Sequence, residues 1–214
     1  MSVNLLDMAI NPSCVSQRAC VAKSVGNNGD YVILLHGYLF GAWTMGGICN
    51  FLDEHNFTVL NCSYSSEEHS INTLSFKLKD FVRRYCIDQK KKIHFVVYSQ
   101  GVMIASEFVL NNPSLNFGKV VMISPHLNES SWKSIFSFSN PLRFKFNETR
   151  TNGSYRLEDL NKIVDLLIIK AKYCFHIKKY KIPKNIKSKE INCFCLFLLW
   201  EKKLFQIILN FITS

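Results

Sequence analysis

The first 125 residues alternate short apolar runs with segments of helical periodicity. Four runs have the length and composition of strands buried on both faces of a parallel sheet: Tyr31–Leu35, Phe57–Leu60, Ile93–Tyr98 and Lys119–Ile123. Between them, three segments repeat apolar residues at helical spacing: 43–51, 71–85 and 102–110. The order β-α-β-α-β-α-β predicts an α/β fold with a doubly wound parallel sheet, right-handed crossovers and helices on both faces.

Composition places this chain among globular proteins. Of its 214 residues, 48% are hydrophobic and 20% charged, which argues against disordered, collagen-like and coiled-coil chains. We expect neither a transmembrane segment, because no apolar run approaches about eighteen residues, nor a signal peptide, so a cytoplasmic location is the default. The eight cysteines include no C-x-x-C pair, so no metal site is predicted and most are expected to be small buried hydrophobic residues.

Positive charge is concentrated in the C-terminal third. Residues 1–140 contain eleven Lys/Arg and ten Asp/Glu, whereas residues 141–214 contain fifteen and six, with eight lysines between Lys170 and Lys189. We therefore divide the chain into a core, 1–140, whose first 30 or so residues lead into it, and a basic segment, 141–214, whose order is left open. The lysine run is typical of a solvated segment and lacks the features of a specific nucleic-acid site, although binding to an anionic surface is an alternative function.

The third apolar run leads directly into Ser99-Gln100-Gly101 and then into a helical segment. A strand, a sharp turn and a helix are the setting of a nucleophile elbow, where the serine is held at the carboxyl end of the sheet. The pattern of such elbows is G-x-S-x-G, and Val97 stands here at the first glycine, where a β-branched side chain fits less well. The competing interpretation of Ser99 is an ordinary helix N-cap.

Several segments in the same order resemble the α/β-hydrolase superfamily, and most closely its bacterial esterase/lipase-like members. They are His36-Gly37-Tyr38, Trp43-Thr44-Met45, the run from Asn61 to Ser66, the run from Ile93 to Val102, and the run from Ser124 to Ser130. The resemblance covers about residues 31–132 and does not extend to the C-terminal third. It implies an α/β-hydrolase-like sheet that is incomplete at its C-terminal end.

The resemblance also implies a site. Ser99 would be the nucleophile, and the backbone N–H groups of Tyr38 and Gln100 would form the oxyanion hole, with His36, Gly37 and Gly101 shaping the loop and the elbow. The substrate would be a small ester or a lipid, and no cofactor is implied. The oligomeric state is left open.

The acid and the base of a catalytic triad are harder to assign. The family order is Ser, then Asp, then His after the last strand. Asp159, Asp165 and His176 follow Ser99 in this order, and 163–169 and 191–199 are candidates for the missing strands, but no motif marks any of them. His126, which follows the fourth strand, is an alternative base. Two main hypotheses therefore stand: ester hydrolysis through an acyl-enzyme on Ser99, or a truncated, non-catalytic remnant or binding module.

Overall fold

The computed structural model describes residues 8–10, 29–37, 40–65, 70–125, 157–173 and 182–214. In these residues the strands are β1 (Met8–Ile10), β2 (Tyr31–Leu35), β3 (Thr58–Tyr64), β4 (Ile93–Tyr98), β5 (Phe117–Ile123), β6 (Asp165–Tyr173) and β7 (Lys187–Phe194). The α-helices are α1 (Gly46–Glu54), α2 (Ile71–Tyr85), α3 (Gly101–Asn111), α4 (Leu157–Ile163) and α5 (Lys202–Thr213). Two 3₁₀ helices, Ala42–Met45 and Cys195–Trp200, precede α1 and α5.

The described strands form one sheet in the order β1-β3-β2-β4-β5-β6-β7. Strands β2 to β7 are parallel, and β1 pairs antiparallel with β3. The predicted α/β fold with a parallel sheet is thus confirmed. Because the six parallel strands point the same way, their carboxyl ends meet at one edge, which is where open α/β sheets bind ligands.

Two apolar layers hold the helices on the sheet. Alternate residues of each strand point to opposite faces, so Ile33 and Leu35 of β2 join one layer, while Val32 and Leu34 join the other. The first layer packs α2, α3 and α4 on the sheet, and the second packs α1 and α5. Ser70 caps the N-terminus of helix α2, because its hydroxyl accepts a hydrogen bond from the Thr73 N–H. The helix buries Leu74, Leu78, Phe81 and Val82 in the first layer.

The sheet continues past residue 140. β6 pairs with β5 along Lys119–Ile123, and β7 pairs with β6. The candidate strand 163–169 thus corresponds to β6 with shifted bounds, whereas 191–199 covers only the last four residues of β7 and continues into the 3₁₀ helix Cys195–Trp200. Lys170 and Lys172 of the lysine run lie in β6, and Lys187 and Lys189 lie in β7. The side chains of Lys172, Lys187 and Lys189 are exposed, and that of Lys170 is half-buried. Residues 174–181 lie outside the described part.

The described cysteines are of two kinds. Cys49, Cys62 and Cys193 are buried free thiols, as small hydrophobic residues would be, and Cys86 is a half-buried free thiol. Burial raises the pKa of the Cys86 thiol to about 12. Cys195 is disulfide-bonded, unlike the sequence-based expectation for most cysteines. Among the described helices, none combines the length and the apolar character that crossing a bilayer requires.

Candidate functional site

Ser99 stands in a sharp turn between β4 and α3. Its φ is +52°, in the left-handed region that non-glycine residues avoid. Its N–H donates to the Ile123 carbonyl oxygen (3.1 Å), which extends the β4–β5 ladder by one residue. Its carbonyl oxygen accepts from the Val102 N–H (3.2 Å), so the same residue also opens the helix. The geometry is that of a strand–turn–helix elbow with a serine at its apex.

Two glycines allow the turn to pack closely. A Cβ atom built on Gly101 would lie 2.6 Å from the Leu35 carbonyl oxygen, so only glycine fits where α3 approaches β2. A Cβ atom on Gly37 would lie 3.0 Å from the Ser99 Cβ and 2.9 Å from the Tyr98 ring. The segment after β2 and the turn at Ser99 therefore pack closely against each other.

Val97 is accommodated without loss of the turn. Its side chain is fully buried in the layer that packs α2 and α3 on the sheet. By register it lies between Leu35 of β2 and Met122 of β5. The valine at the first elbow position thus adds apolar packing, and Ser99 keeps its left-handed conformation.

His36 is a fixed, buried component of the edge. Its ring stacks on Tyr64 with centroids 4.0 Å apart, and the Tyr64 hydroxyl donates to the His36 carbonyl oxygen. Nδ1 donates to the Gly37 carbonyl oxygen (2.8 Å), and Nε2 accepts from the Tyr64 N–H (3.4 Å), so both ring nitrogens are bonded to backbone. Burial lowers the pKa of His36. A neutral imidazole held in this way shapes the turn before the site and is not positioned to take a proton from Ser99.

A second serine repeats the geometry of the elbow on the neighbouring strand. Ser124 follows β5 directly, has a φ of +43° and donates its N–H to the Ile169 carbonyl oxygen (2.9 Å). Since Tyr98 pairs with Ile123, Ser99 and Ser124 follow paired residues at the ends of adjacent strands. The Ser124 hydroxyl is buried and has no hydrogen-bond partner among the residues that the structure describes. No motif in the sequence marks Ser124 as a site residue, although its position directly after an apolar strand was a usable signal.

Gln100 is also buried at this edge. It follows the elbow serine, precedes the first residue of α3, and its carbonyl oxygen accepts from the Met103 N–H (2.9 Å). Its backbone N–H therefore belongs to the helix start, where donors face anionic groups. Tyr38, the other expected oxyanion residue, lies outside the described residues, as do His126 and His176.

The structure separates Asp165 from Ser99, which corrects the expectation that it belongs to this site. Asp165 begins β6 and pairs with Lys119, whereas Ile169 pairs with Ile123 next to the elbow. Four residues of strand, about 13 Å, lie between these two levels of the sheet. Asp159 lies in the first turn of α4, where its carboxylate accepts from the Lys162 ammonium at 3.0 Å.

The opposite, amino edge of the sheet has a polar cleft of about 460 Å³ lined by His55, His94 and Asp165 among others. His94 is buried there, with Nδ1 accepting from the Lys119 N–H (3.0 Å) and Nε2 3.5 Å from an Asp30 carboxylate oxygen. Burial lowers the pKa of His94, with Asp30 acting in the opposite direction. No group of three metal-ligating side chains is assembled among the described residues.

Known proteins share the architecture of this chain, although none of the sequence comparisons finds a match. No protein-family model matches the sequence, and no curated protein matches it either. Solved structures do match. An esterase of a marine microorganism aligns with a TM-score of 0.59 at 16% identity, covering 87% of this chain and 96% of its own. Carboxylesterase CesB (YbfK) from Bacillus subtilis aligns with a TM-score of 0.61 at 16% identity, covering 86% and 84%. Naproxen esterase (carboxylesterase NP) from Bacillus subtilis aligns with a TM-score of 0.62 at 12% identity, covering 86% and 84%. At these identities the likeness concerns the chain's architecture, and it shows that this protein has the α/β-hydrolase fold.

Proposed function

We propose that this protein is a serine esterase in which Ser99 attacks the carbonyl carbon of a carboxylic ester. The observation that carries the proposal is the left-handed turn at Ser99, joined to β4 and α3 by its own backbone hydrogen bonds. A conformation that costs about 1–3 kcal/mol is retained where the serine hydroxyl has to be presented at the sheet edge. The esterases among the structural neighbours support the same reaction class.

The reaction forms and breaks two bonds in turn. The Ser99 Oγ bonds to the acyl carbon while its proton passes to a base, and the bond from that carbon to the alcohol oxygen then breaks as the alcohol takes the proton. Water then bonds to the acyl carbon while the same base takes one of its protons, and the bond from that carbon to the Ser99 Oγ breaks as Oγ takes the proton from the base, which releases the acid. In this proposal the backbone N–H groups of Gln100 and Tyr38 stabilise the oxyanion, at about 3 kcal/mol for each donor.

The proposed base is His126, with His176 as the second candidate. His126 is three residues beyond Ile123, the last residue of β5, which pairs with β4. His176 is three residues beyond Tyr173, the last residue of β6. Asp159 is the proposed acid, because the sheet register places Asp165 far from Ser99. Because a well-placed base contributes about 10²–10⁴-fold and no motif orients either histidine, we expect slow turnover of short-chain esters.

A covalent serine-hydrolase probe tests the nucleophile directly. A fluorophosphonate is expected to label the wild-type protein at Ser99 and to leave Ser99→Ala unlabelled. Ser106→Ala is the matched control, because the Ser106 hydroxyl is also buried but lies within α3. It is expected to label like the wild type. Labelling that persists in Ser99→Ala, or a wild-type protein that is never labelled, would contradict the proposal.

Turnover of p-nitrophenyl acetate then identifies the base. We expect His126→Ala to lower the rate by about 10²-fold or more, and His176→Ala to have the smaller effect. The reverse order would assign the base to His176. Equal, wild-type rates in both variants would show that neither imidazole takes the proton.

A second candidate function is binding of an ester beside the Ser99 turn without turnover. It is favoured by one observation: residues 195–214, which follow β7 where the family has its histidine, contain none. In that case the fluorophosphonate would fail to label Ser99, while a short-chain ester would still raise the thermal unfolding temperature.

A further inference from the structure

Four exposed aromatic side chains lie at or just beyond the carboxyl ends of β6 and β7, on one flank of the sheet. Tyr173 ends β6 and Phe194 ends β7, with ring centroids 5.3 Å apart. Phe197 and Trp200 lie in the 3₁₀ helix that follows, with centroids 6.4 Å apart. The exposed fractions of these four side chains are 45%, 55%, 58% and 55%. We refer to these four residues as the aromatic patch; exposed apolar clusters of this kind mark contact surfaces.

Lysines border the aromatic patch. The Lys172 ammonium lies 5.7 Å from the centre of the Tyr173 ring. Lys202 and Lys203 follow the patch directly, are exposed, and occupy the first turn of α5. Glu201, which precedes them, is half-buried. Exposed charge beside the patch is therefore mainly positive, within a third of the chain that is itself strongly basic.

The two lysines of α5 stand where a helix disfavours them. The partial positive charge at a helix N-terminus favours Asp or Glu in the first turn and is unfavourable to cations. The first turn of α5 has no acidic residue, and Glu201 makes no side-chain capping hydrogen bond. Two lysines and the positive end of the α5 dipole therefore lie together, directly after the 3₁₀ helix that carries Phe197 and Trp200.

We propose that the aromatic patch and Lys172, Lys202 and Lys203 dock this protein on an anionic phospholipid surface. Aromatic rings partition into the interface between headgroups and acyl chains, where Trp and Tyr are enriched in membrane proteins. Lysine stems reach along the apolar surface and place their ammonium groups among headgroup phosphates. A protein partner is the less favoured occupant, because the complementarity on this surface is between cations and anionic headgroups.

The proposed docking orients the molecule. The patch lies at the carboxyl edge of the sheet, which is also the edge of Ser99. Binding through the patch would therefore turn the candidate site toward the bilayer. The docking goes beyond the proposed function and does not depend on turnover at Ser99.

Vesicle co-sedimentation tests the docking. The wild-type protein is expected to bind vesicles of equimolar phosphatidylcholine and phosphatidylserine, and to bind phosphatidylcholine vesicles far less. Phe197→Ser/Trp200→Ser is expected to weaken binding to the mixed vesicles by about tenfold or more, because two apolar side chains no longer enter the interface. Lys202→Gln/Lys203→Gln is expected to weaken it by about fivefold for each lysine, with a smaller dependence on salt.

Matched controls come from exposed residues elsewhere. Phe76→Ser/Ile87→Ser removes two exposed apolar side chains outside the patch, and Lys79→Gln/Lys90→Gln removes two exposed lysines. Both are expected to bind like the wild type, with unchanged thermal unfolding temperatures in all four variants. The proposal would be overturned if the wild-type protein does not bind the mixed vesicles. It would also be overturned if Phe197→Ser/Trp200→Ser and Lys202→Gln/Lys203→Gln bind them as tightly as the control variants do. Equal binding to both vesicle types would overturn the role of the lysines.

Discussion

At the scale of single residues, the molecule concentrates backbone strain at its carboxyl edge. The described non-glycine residues with positive φ are Asn56, Ser99 and Ser124. Asparagine tolerates this conformation, but serine does so at a cost of roughly 1–2 kcal/mol. Both serines directly follow adjacent central strands, β4 and β5, and donate their N–H groups to the next strand. The ladder thus holds each residue in a conformation that its side chain disfavours.

Glycine at position 99 should relieve that strain. We expect Ser99→Gly to have a higher free energy of unfolding than Ser99→Ala, by about 1 kcal/mol, since only the Cβ atom opposes the left-handed turn. In α3 the order should be reversed, with Ser106→Gly less stable than Ser106→Ala by about 1 kcal/mol. Urea unfolding of the four variants measures both differences. If Ser99→Ala is as stable as Ser99→Gly or more stable, as expected for the helical position 106, then Ser99 is not strained.

The close packing of Gly118 against the His94 ring, at the amino edge of the sheet, allows a second test of stability. A Cβ atom on Gly118 would lie 2.5 Å from Cε1 of the His94 ring, which is buried and bonded to Lys119. Gly118→Ala should therefore lower the free energy of unfolding by about 1–3 kcal/mol. Gly46→Ala is the control, because a Cβ atom there meets nothing within 4 Å at the start of α1. The Gly46→Ala control should leave the free energy of unfolding unchanged or raise it by up to about 1 kcal/mol.

At the scale of elements, a strand can be predicted from the sequence when its buried apolar residues form an uninterrupted run. β2 and β4 have the predicted bounds because every residue in them is buried, which makes their apolar runs uninterrupted. β7 has no such run: four exposed residues precede Ile191, and the apolar stretch that suggested a strand forms the 3₁₀ helix Cys195–Trp200. α5 was missed although Leu204, Ile207, Ile208 and Phe211 recur at helical spacing.

β6 should contribute to stability as the central strands do. Ile168 is fully buried in the layer under α2, α3 and α4. Ile168→Ala should lower the free energy of unfolding by about 2–5 kcal/mol, through lost apolar contact and the cavity that remains. Ile87→Ala, at a side chain that is 79% exposed, should change it by less than about 0.5 kcal/mol. If the two variants unfold at the same denaturant concentration, β6 is not part of the cooperative core.

At the scale of the whole molecule, two buried histidines link folding to pH. Burial lowers the pKa of His36 and of His94 below the ordinary value of 6.5. The unfolded chain therefore binds these protons more readily than the folded protein does. The contribution of these two neutral histidines to the free energy of unfolding should be fully present above pH 6.5. It should decrease as the pH falls from there toward the lowered pKa values of the folded protein.

Thermal unfolding across this pH range checks the sign. Acidification below pH 6.5 should lower the unfolding temperature of the wild type, and His94→Gln should lose part of that dependence. The neutral ring of His94 accepts the Lys119 N–H, and protonation removes that acceptor. An unfolding temperature that rises on acidification would contradict the lowered pKa values.

The candidate site was only partly accessible from sequence. Ser99 could be identified because its turn is local: an apolar strand, S-x-G and a helix are contiguous along the chain. The stack of His36 on Tyr64 and the pairing of Asp165 with Lys119 depend on strand order, which local patterns do not encode. Placing an acid or a base therefore requires the sheet register, and that register excluded Asp165.

The strand order also has a consequence for biosynthesis. β3, β2, β4 and β5 are contiguous in the sheet, and all lie between residues 31 and 123. A ribosome completes this four-stranded block before it begins β6, and β6 and β7 add at one exposed flank without displacing an earlier strand. Since domains acquire structure progressively during synthesis, the nascent chain can assemble vectorially, from the middle of the sheet outward to β7.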